Sequence, residues 1–212
     1  MMINGPYLLA PLSTSMTVSW EMNAEVRTRI WYGTNGQLDQ QMNVTCERGT
    51  PWKDNSKGIC MYRAVLKNLE PATVYQYKVE IESQEVAQGT FKTLEESPKK
   101  IRMITVSDSH LFNIHKDFTK MILADKPDFL IHSGDISLAT GYQKDEYTVN
   151  WFAPGAEFLR QVPGVYVSGN HDISPYYEDF FLNVQKNTYY SDQTGHNSSF
   201  TYGNVHVVLL DS

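Results

Sequence analysis

Long apolar runs are missing from this 212-residue chain. None approaches the roughly 20 residues that a membrane-spanning helix needs, so no membrane span is expected. Basic runs are missing too. Lys and Arg total 18 against 24 Asp and Glu, a formal net charge of −6. No cluster of cations offers the electrostatic footprint of a nucleic-acid binder, and no nucleic-acid partner is expected. The opening MMINGPYLLAPLS lacks a basic segment ahead of an apolar core, so it does not read as a signal peptide. Either the protein is cytosolic or a leader is absent from this chain. Cysteine is nearly absent. Cys46 and Cys60 have no cysteine or histidine neighbours in sequence, which argues against a zinc site. The expectation is two unpaired thiols, as in a reducing compartment; a single disulfide stays open if the protein is exported. Internal repeats and low-complexity tracts are also absent.

What is present falls into two textures. Through the first ninety-odd residues, apolar side chains alternate at period two. Met16, Val18, Trp20 and Met22 do so in SMTVSWEM, and Tyr75, Tyr77, Val79 and Ile81 in TVYQYKVEI. Such alternation predicts half-buried strands, separated by turn signals such as Gly33-Thr34-Asn35-Gly36. An all-β sandwich fits this pattern. The order Leu69, Pro71, Thr73, Tyr75 resembles the tyrosine corner of fibronectin type III sandwiches, in which the phenol bonds to the upstream backbone. The first unit is therefore assigned to residues 1–95. The polar stretch ending in Ser97-Pro98-Lys99-Lys100 reads as a linker over 96–100.

Beyond it, strand-like and helix-like runs alternate. Ile101 to Val106, Phe129 to Ile131 and Val165 to Val167 read as strands. Ile114, Phe118, Met121 and Ile122 recur at helical spacing. A second helical run, 145–159, is expected to break near Pro154-Gly155. Ser174-Pro175 offers a cap and a first-turn proline for a third, through Val184. The closing VHVVLLD reads as another buried strand. Strands apolar on both faces and alternating with helices imply a layered α/β unit over 101–212.

Three of its strands end in residues that can bind metal. The first runs into Asp108-Ser109-His110, the second into Gly134-Asp135, the third into Gly169-Asn170-His171-Asp172. Taken singly, each has an ordinary reading as a turn or cap. Together, if the strands lie parallel, all three tips meet at the carboxyl edge of one sheet, where open α/β sheets collect ligands. Carboxylate and amide oxygens suit manganese, and imidazole suits zinc and iron. Two cations about 3.5–4 Å apart can clamp a phosphoryl group and acidify a bound water.

The ordered set D-x-H, G-D, G-N-H-D resembles the calcineurin-like metallophosphoesterases. With NGPYLLAPLSTSMTVSWEM ahead of it, the layout is similar to their purple acid phosphatase-related branch, a fibronectin type III-like domain followed by the catalytic core. The resemblance implies a fold of all-β sandwich followed by α/β, the latter part of a four-layer α/β/β/α sandwich. It implies metal-dependent hydrolysis of phosphoric esters with two divalent or trivalent ions (Fe, Mn or Zn). Asp108 and His110 would bind one ion, Asp135 would bridge, and Asn170 would bind the second. His171 would contact the phosphate and act as general acid, supported by Asp172. The partner would be a phosphorylated small molecule or other phosphoester. The family's company implies export to the periplasm or cell exterior.

Two departures stand out. Leu138 occupies the position where purple acid phosphatases carry a tyrosine, so no tyrosinate–iron chromophore is implied; they also usually have glycine where this chain has His110. The family's later histidine motifs, including Gly-His-x-His, do not occur before Ser212. The chain is therefore expected to stop within the catalytic domain, exposing a sheet edge at VHVVLLD through which it could self-associate. A non-catalytic fragment or binding module with an incomplete metal site is the alternative. The other histidines are expected outside the site: His132 as a satisfied core residue, His206 in or at the edge of a strand, His115 exposed, His196 solvated.

Overall fold

The computed structural model describes residues 1–52, 55–110, 115–138 and 142–211, with backbone only at His115 and Lys116. Eight strands form the first part: β1 (Met2–Leu9), β2 (Ser15–Met22), β3 (Thr28–Gly33), β4 (Gln40–Val44), β5 (Cys46–Arg48), β6 (Cys60–Lys67), β7 (Val74–Ile81) and β8 (Gln84–Lys92). They make two facing sheets, ordered β5-β6-β2-β1 and β4-β3-β7-β8. Leu8, Val18, Trp20, Ile30, Tyr77 and Val79 fill the space between them. Tyr75 closes the sandwich as expected, its hydroxyl accepting the Glu70 N–H at 2.9 Å.

Two expectations need correction here. Cys46 and Cys60 are joined in a disulfide, their Cα atoms 5.4 Å apart. Antiparallel pairing of β5 with β6 sets Cys46 opposite Tyr62 and Arg48 opposite Cys60, which brings the two thiols together. The polar face of β2 is also buried rather than solvated: Thr17, Ser19 and Glu21 are covered as fully as the apolar residues between them. The second part of the chain packs on that face. Leu9 pairs in parallel with Gly164, so the first sheet continues as β5-β6-β2-β1-β11-β10-β9. Here β9 is Met103–Val106, β10 Phe129–His132 and β11 Gly164–Tyr166.

These last three strands are parallel and in register. Residues of β10 and β11 are mostly buried, but β9 is the outer strand and alternates between exposed and half-buried, so the continuous burial expected of it is not met. Helix α1 (His115–Asp125) leads from β9 toward β10. Ile122 is its buried contact; Phe118 and Met121 are exposed despite their spacing, and Ile114 lies outside the described residues.

The next helical run does not break at Pro154. It passes from α2 (Lys144–Tyr147) through a π turn (Thr148–Phe152) into α3 (Ala153–Leu159). A proline ring crowds the carbonyl four residues earlier, and the wider turn ahead of Pro154 accommodates it. A second run is built alike: α4 (Pro175–Tyr177), a π turn (Glu178–Leu182) and α5 (Asn183–Thr188). Ser174 stands at its N-cap, but its hydroxyl meets Tyr147 at 3.2 Å and makes no capping bond. Each π turn buries two consecutive aromatics, Trp151-Phe152 and Phe180-Phe181. Tyr7 of β1 packs on Phe152 and Phe181, and its hydroxyl donates to the Phe180 carbonyl at 3.0 Å.

The chain closes in a separate antiparallel sheet, β12 (Tyr190–Ser191), β13 (Ser198–Tyr202) and β14 (Val205–Leu209). The expectation of a strand buried on both faces is corrected. Val207 and Leu209 turn into the core while Val208 is 55% exposed, because β14 is an outer strand with one face covered.

Asp179 joins the two parts of the chain. Its carboxylate accepts the Thr50 N–H at 2.9 Å and the Asn183 amide at 3.0 Å, and its carbonyl accepts from Arg63. Burial pushes the carboxyl up to about 6. An acid with a higher pKa folded than unfolded binds more protons in the native state, so its contribution to stability falls as pH rises from about 4 to about 6 and is level above that. In Asp179→Asn that slope should vanish. Urea denaturation at several pH values should show the variant gaining on the wild type by on the order of 1 kcal/mol across that window; parallel curves would contradict this.

Candidate metal centre

Val106, His132 and Tyr166 stand at the carboxyl ends of β9, β10 and β11, in adjacent register. The three loops that follow therefore leave the sheet at one edge, as the sequence predicts. Backbone bonds tie them together. Asp108 N–H donates to the Gly134 carbonyl at 2.9 Å, and His110 N–H to the Asp135 carbonyl at 3.2 Å. His171 N–H donates to Asp135 Oδ1 at 3.0 Å. Asp108 and Asp135 hold φ of 52° and 62°, a left-handed conformation that non-glycine residues adopt rarely and that gathers at functional sites.

The glycines of the two motifs have a steric cause. A Cβ on Gly134, whose φ is 101°, would lie 2.4 Å from the Gly169 nitrogen. One on Gly169 would lie 2.1 Å from Asp135 Oδ1. Only bare backbone lets the two loops approach this closely.

Asp172 is buried between them. The expectation that it supports the His171 ring is corrected. Its carboxylate accepts N–H groups from Asp135 at 2.7 Å, Ile136 and Ser137 at 3.1 Å each, and Gly169 at 3.2 Å. Burial pushes its carboxyl up to about 6, against the pull of those four donors. The His171 ring is oriented instead by a carbonyl: Nδ1 donates to Leu138 O at 2.7 Å. Nδ1 therefore carries a proton, because a carbonyl can only accept.

His110, Asp135 and His171 each offer a ligand atom, and these atoms lie within 4.8 Å of one another. His110 Nε2 is 4.0 Å from Asp135 Oδ2. His110 Nδ1 is buried with no hydrogen-bond partner. A buried polar nitrogen left unpartnered is costly, and His110 turns its other nitrogen, Nε2, toward Asp135. Two imidazoles and a carboxylate match the first-row metals in hardness, so the residues fit such an ion. Asp108 and Asn170 are exposed and stand outside this group of three, but they line the same cavity as Asp135, of about 880 Å³.

The remaining histidines divide. His132 is fully buried; Gly134 N–H donates to its Nδ1 at 3.1 Å and its Nε2 meets Ser109 Oγ at 3.0 Å, a satisfied core ring as expected. His206 is exposed on β14 and meets Thr201 across the hairpin. The side chain of His115 lies outside the described residues. His196 is not simply solvated. It lines the cavity, its Nδ1 2.5 Å from Asp211 Oδ2 and its Nε2 3.5 Å from Glu178. Ser168, just ahead of Gly169-Asn170, donates to Asp211 Oδ2 at 2.6 Å. Sequence reading missed this group. A signal was available: Asp211 ends the apolar run VHVVLL much as Asp108 and Asp135 follow theirs.

The sequence profile of the calcineurin-like phosphoesterases matches residues 101–210, and that of the purple acid phosphatase N-terminal domain matches 7–93. The chain belongs to the calcineurin-like phosphoesterases. No curated protein sequence matches it. Among solved structures, this calcineurin-like phosphoesterase is similar to the purple acid phosphatase PPD1 from yellow lupin (Lupinus luteus) seeds, with 17% identity and a TM-score of 0.68. It is also similar to PhoD, with 16% identity and a TM-score of 0.62. Each comparison covers 97% of this chain; 44% of the lupin chain and 51% of the PhoD chain are covered, so the chain spans about half the length of either. At these identities the likeness shows the fold: a sheet-rich first part, then an α/β part.

Removing the Asp172 carboxylate should strand four N–H groups of this phosphoesterase at once. Asp172→Ala should cost roughly 3 kcal/mol or more in urea denaturation, and Asp172→Asn, which keeps one acceptor oxygen, markedly less. A loss below about 1 kcal/mol in the alanine variant would contradict the bracing role.

Proposed function

We propose that this chain carries the metal-binding part of a hydrolase of phosphoric esters, working with two divalent or trivalent ions (Fe, Mn or Zn). The observation that carries the proposal is the meeting of His110, Asp135 and His171 at one sheet edge, beside Asp108 and Asn170. In this reading Asp108 and His110 would hold one ion, Asn170 the second, and Asp135 would serve both. When bound, such ions neutralise phosphoryl oxygens and acidify a water enough to attack phosphorus near neutral pH.

The chain's own residues supply the rest. His171 contacts the phosphate and gives a proton to the departing oxygen. Its Nδ1 proton is held by Leu138 O, so the donated proton is the second one, carried on Nε2 of the imidazolium, and the ring is left as the neutral Nδ1–H tautomer. The loop backbones, fixed by Asp172, keep the groups from reorganising as charge develops, which is the source of most electrostatic rate enhancement. The substrate is a phosphoester, met in the cavity of about 880 Å³ that Asp108, Asp135 and Asn170 line. The Cys46–Cys60 bridge suits an oxidising compartment, so we place the protein outside the cytoplasm. Among the described residues, no helix is long and apolar enough to cross a membrane.

A second reading has one observation in its favour: the three clustered ligand atoms would hold a single ion. On that reading the chain is a binding module with no hydrolytic activity. Metal stoichiometry separates the two. After incubation with Mn²⁺, Zn²⁺ or Fe²⁺ and desalting, elemental analysis should give close to two ions per chain. Asp135→Asn should lose most of that metal, and chelation should abolish hydrolysis of a chromogenic phosphate ester. His171→Ala should keep its metal and lose roughly 10²- to 10⁴-fold in kcat. One ion per chain with no turnover would favour the binding module.

A further inference from the structure

We propose that Glu146 is a positioning residue for His171. The inference rests on the function proposed above, since the orientation of this ring matters most if it meets substrate. The Leu138 carbonyl accepts the His171 Nδ1 proton at 2.7 Å. Leu138 follows Asp135 by three residues and is itself exposed at 39%. Glu146 holds the N–H of the same residue, across its Cα from that carbonyl. One oxygen, Oε2, accepts the Leu138 N–H at 2.7 Å and the Ser137 hydroxyl at 2.6 Å. Ser137 N–H in turn donates to Asp172 Oδ1 at 3.1 Å. Residues 137 and 138 are thus held between two carboxylates, and the carbonyl of the second aims at the ring.

Glu146 sits in the first helical turn after the N-cap Gln143. That turn is anchored on the β-sandwich. Lys144 reaches the buried Glu21 of β2 at 2.9 Å, and Asn4 of β1 donates to the other oxygen of Glu21 at 2.7 Å. The connection therefore runs from the sandwich through the start of α2 to Leu138 and the imidazole. It gives the first part of the chain a task in the chemistry of the second.

His171 should occupy a single Nδ1–H tautomer in the metal-free chain, read from its ring nitrogen shifts by NMR. In Glu146→Ala the Nδ1 proton should exchange roughly tenfold faster and the other tautomer should become visible, as expected when one hydrogen bond loses its fixed acceptor. Glu146→Gln keeps an acceptor oxygen and should restore the wild-type signature. The ring of His132, bonded to Ser109 and Gly134, should not move and serves as the internal control. If Glu146→Ala does not fold, Glu146→Asp carries the test, because it keeps the charge and withdraws it by one methylene. An unmoved His171 signature in either folded variant would overturn the proposal, as would failure of Glu146→Gln to restore it. These readouts need no metal. Loss of the tautomer preference in a chain that takes up no ion would sink the hydrolase reading and leave the positioning intact; the reverse pattern would do the opposite.

Discussion

The carboxylate of Asp172 sits where two loops point four N–H groups at one place inside the protein. By accepting from Asp135, Ile136, Ser137 and Gly169 it converts that liability into a joint between the β10 and β11 loops. The backbone of Asp135 is held in a left-handed conformation within this joint. Its side chain is then free to face His110 and His171. Desolvation works against the arrangement, which is why the carboxyl titrates higher than an ordinary aspartate. The backbone donors work for it. Despite that cost, the four donors hold the two loops against each other.

Below the joint lies a rigid support. His132 fixes the end of β10 with both ring nitrogens, and Trp151 packs edge-on against it, with centroids 4.6 Å apart. The Trp151 indole donates to the Tyr166 hydroxyl on β11 at 3.1 Å. Tyr166 stacks on Phe181 at 4.0 Å, and Phe181 meets Tyr7 of β1. Aromatic contacts of this kind add modestly to the larger gain from area removed from water. Their geometric effect is as important here. They carry the position of the sandwich strands to the floor of the candidate site.

What the sequence revealed and what it hid follow from the range of each interaction. The three strand tips were legible because a run of apolar residues ending in glycine and a ligand-capable side chain is a local pattern. The tyrosine corner was legible for the same reason. The partners of Asp172 were not, since peptide N–H groups carry no mark in the sequence. The disulfide depended on which strand pairs with β5. The buried polar face of β2 depended on the α/β part folding over it. His196 looked like one more polar loop residue until the β13–β14 hairpin brought it beside Asp211. Pro154 points to a broken helix because proline usually ends one, and the π turn that absorbs it has no simple periodicity.

Leu9 and Gly164 belong to one sheet, and a β-ladder does not hinge. In many two-domain enzymes the appended module swings over the active site and controls entry. Here that motion would have to tear strand pairing and pull Tyr7 out from between the aromatic pairs of both helical runs. The sandwich is built as a keel rather than a door.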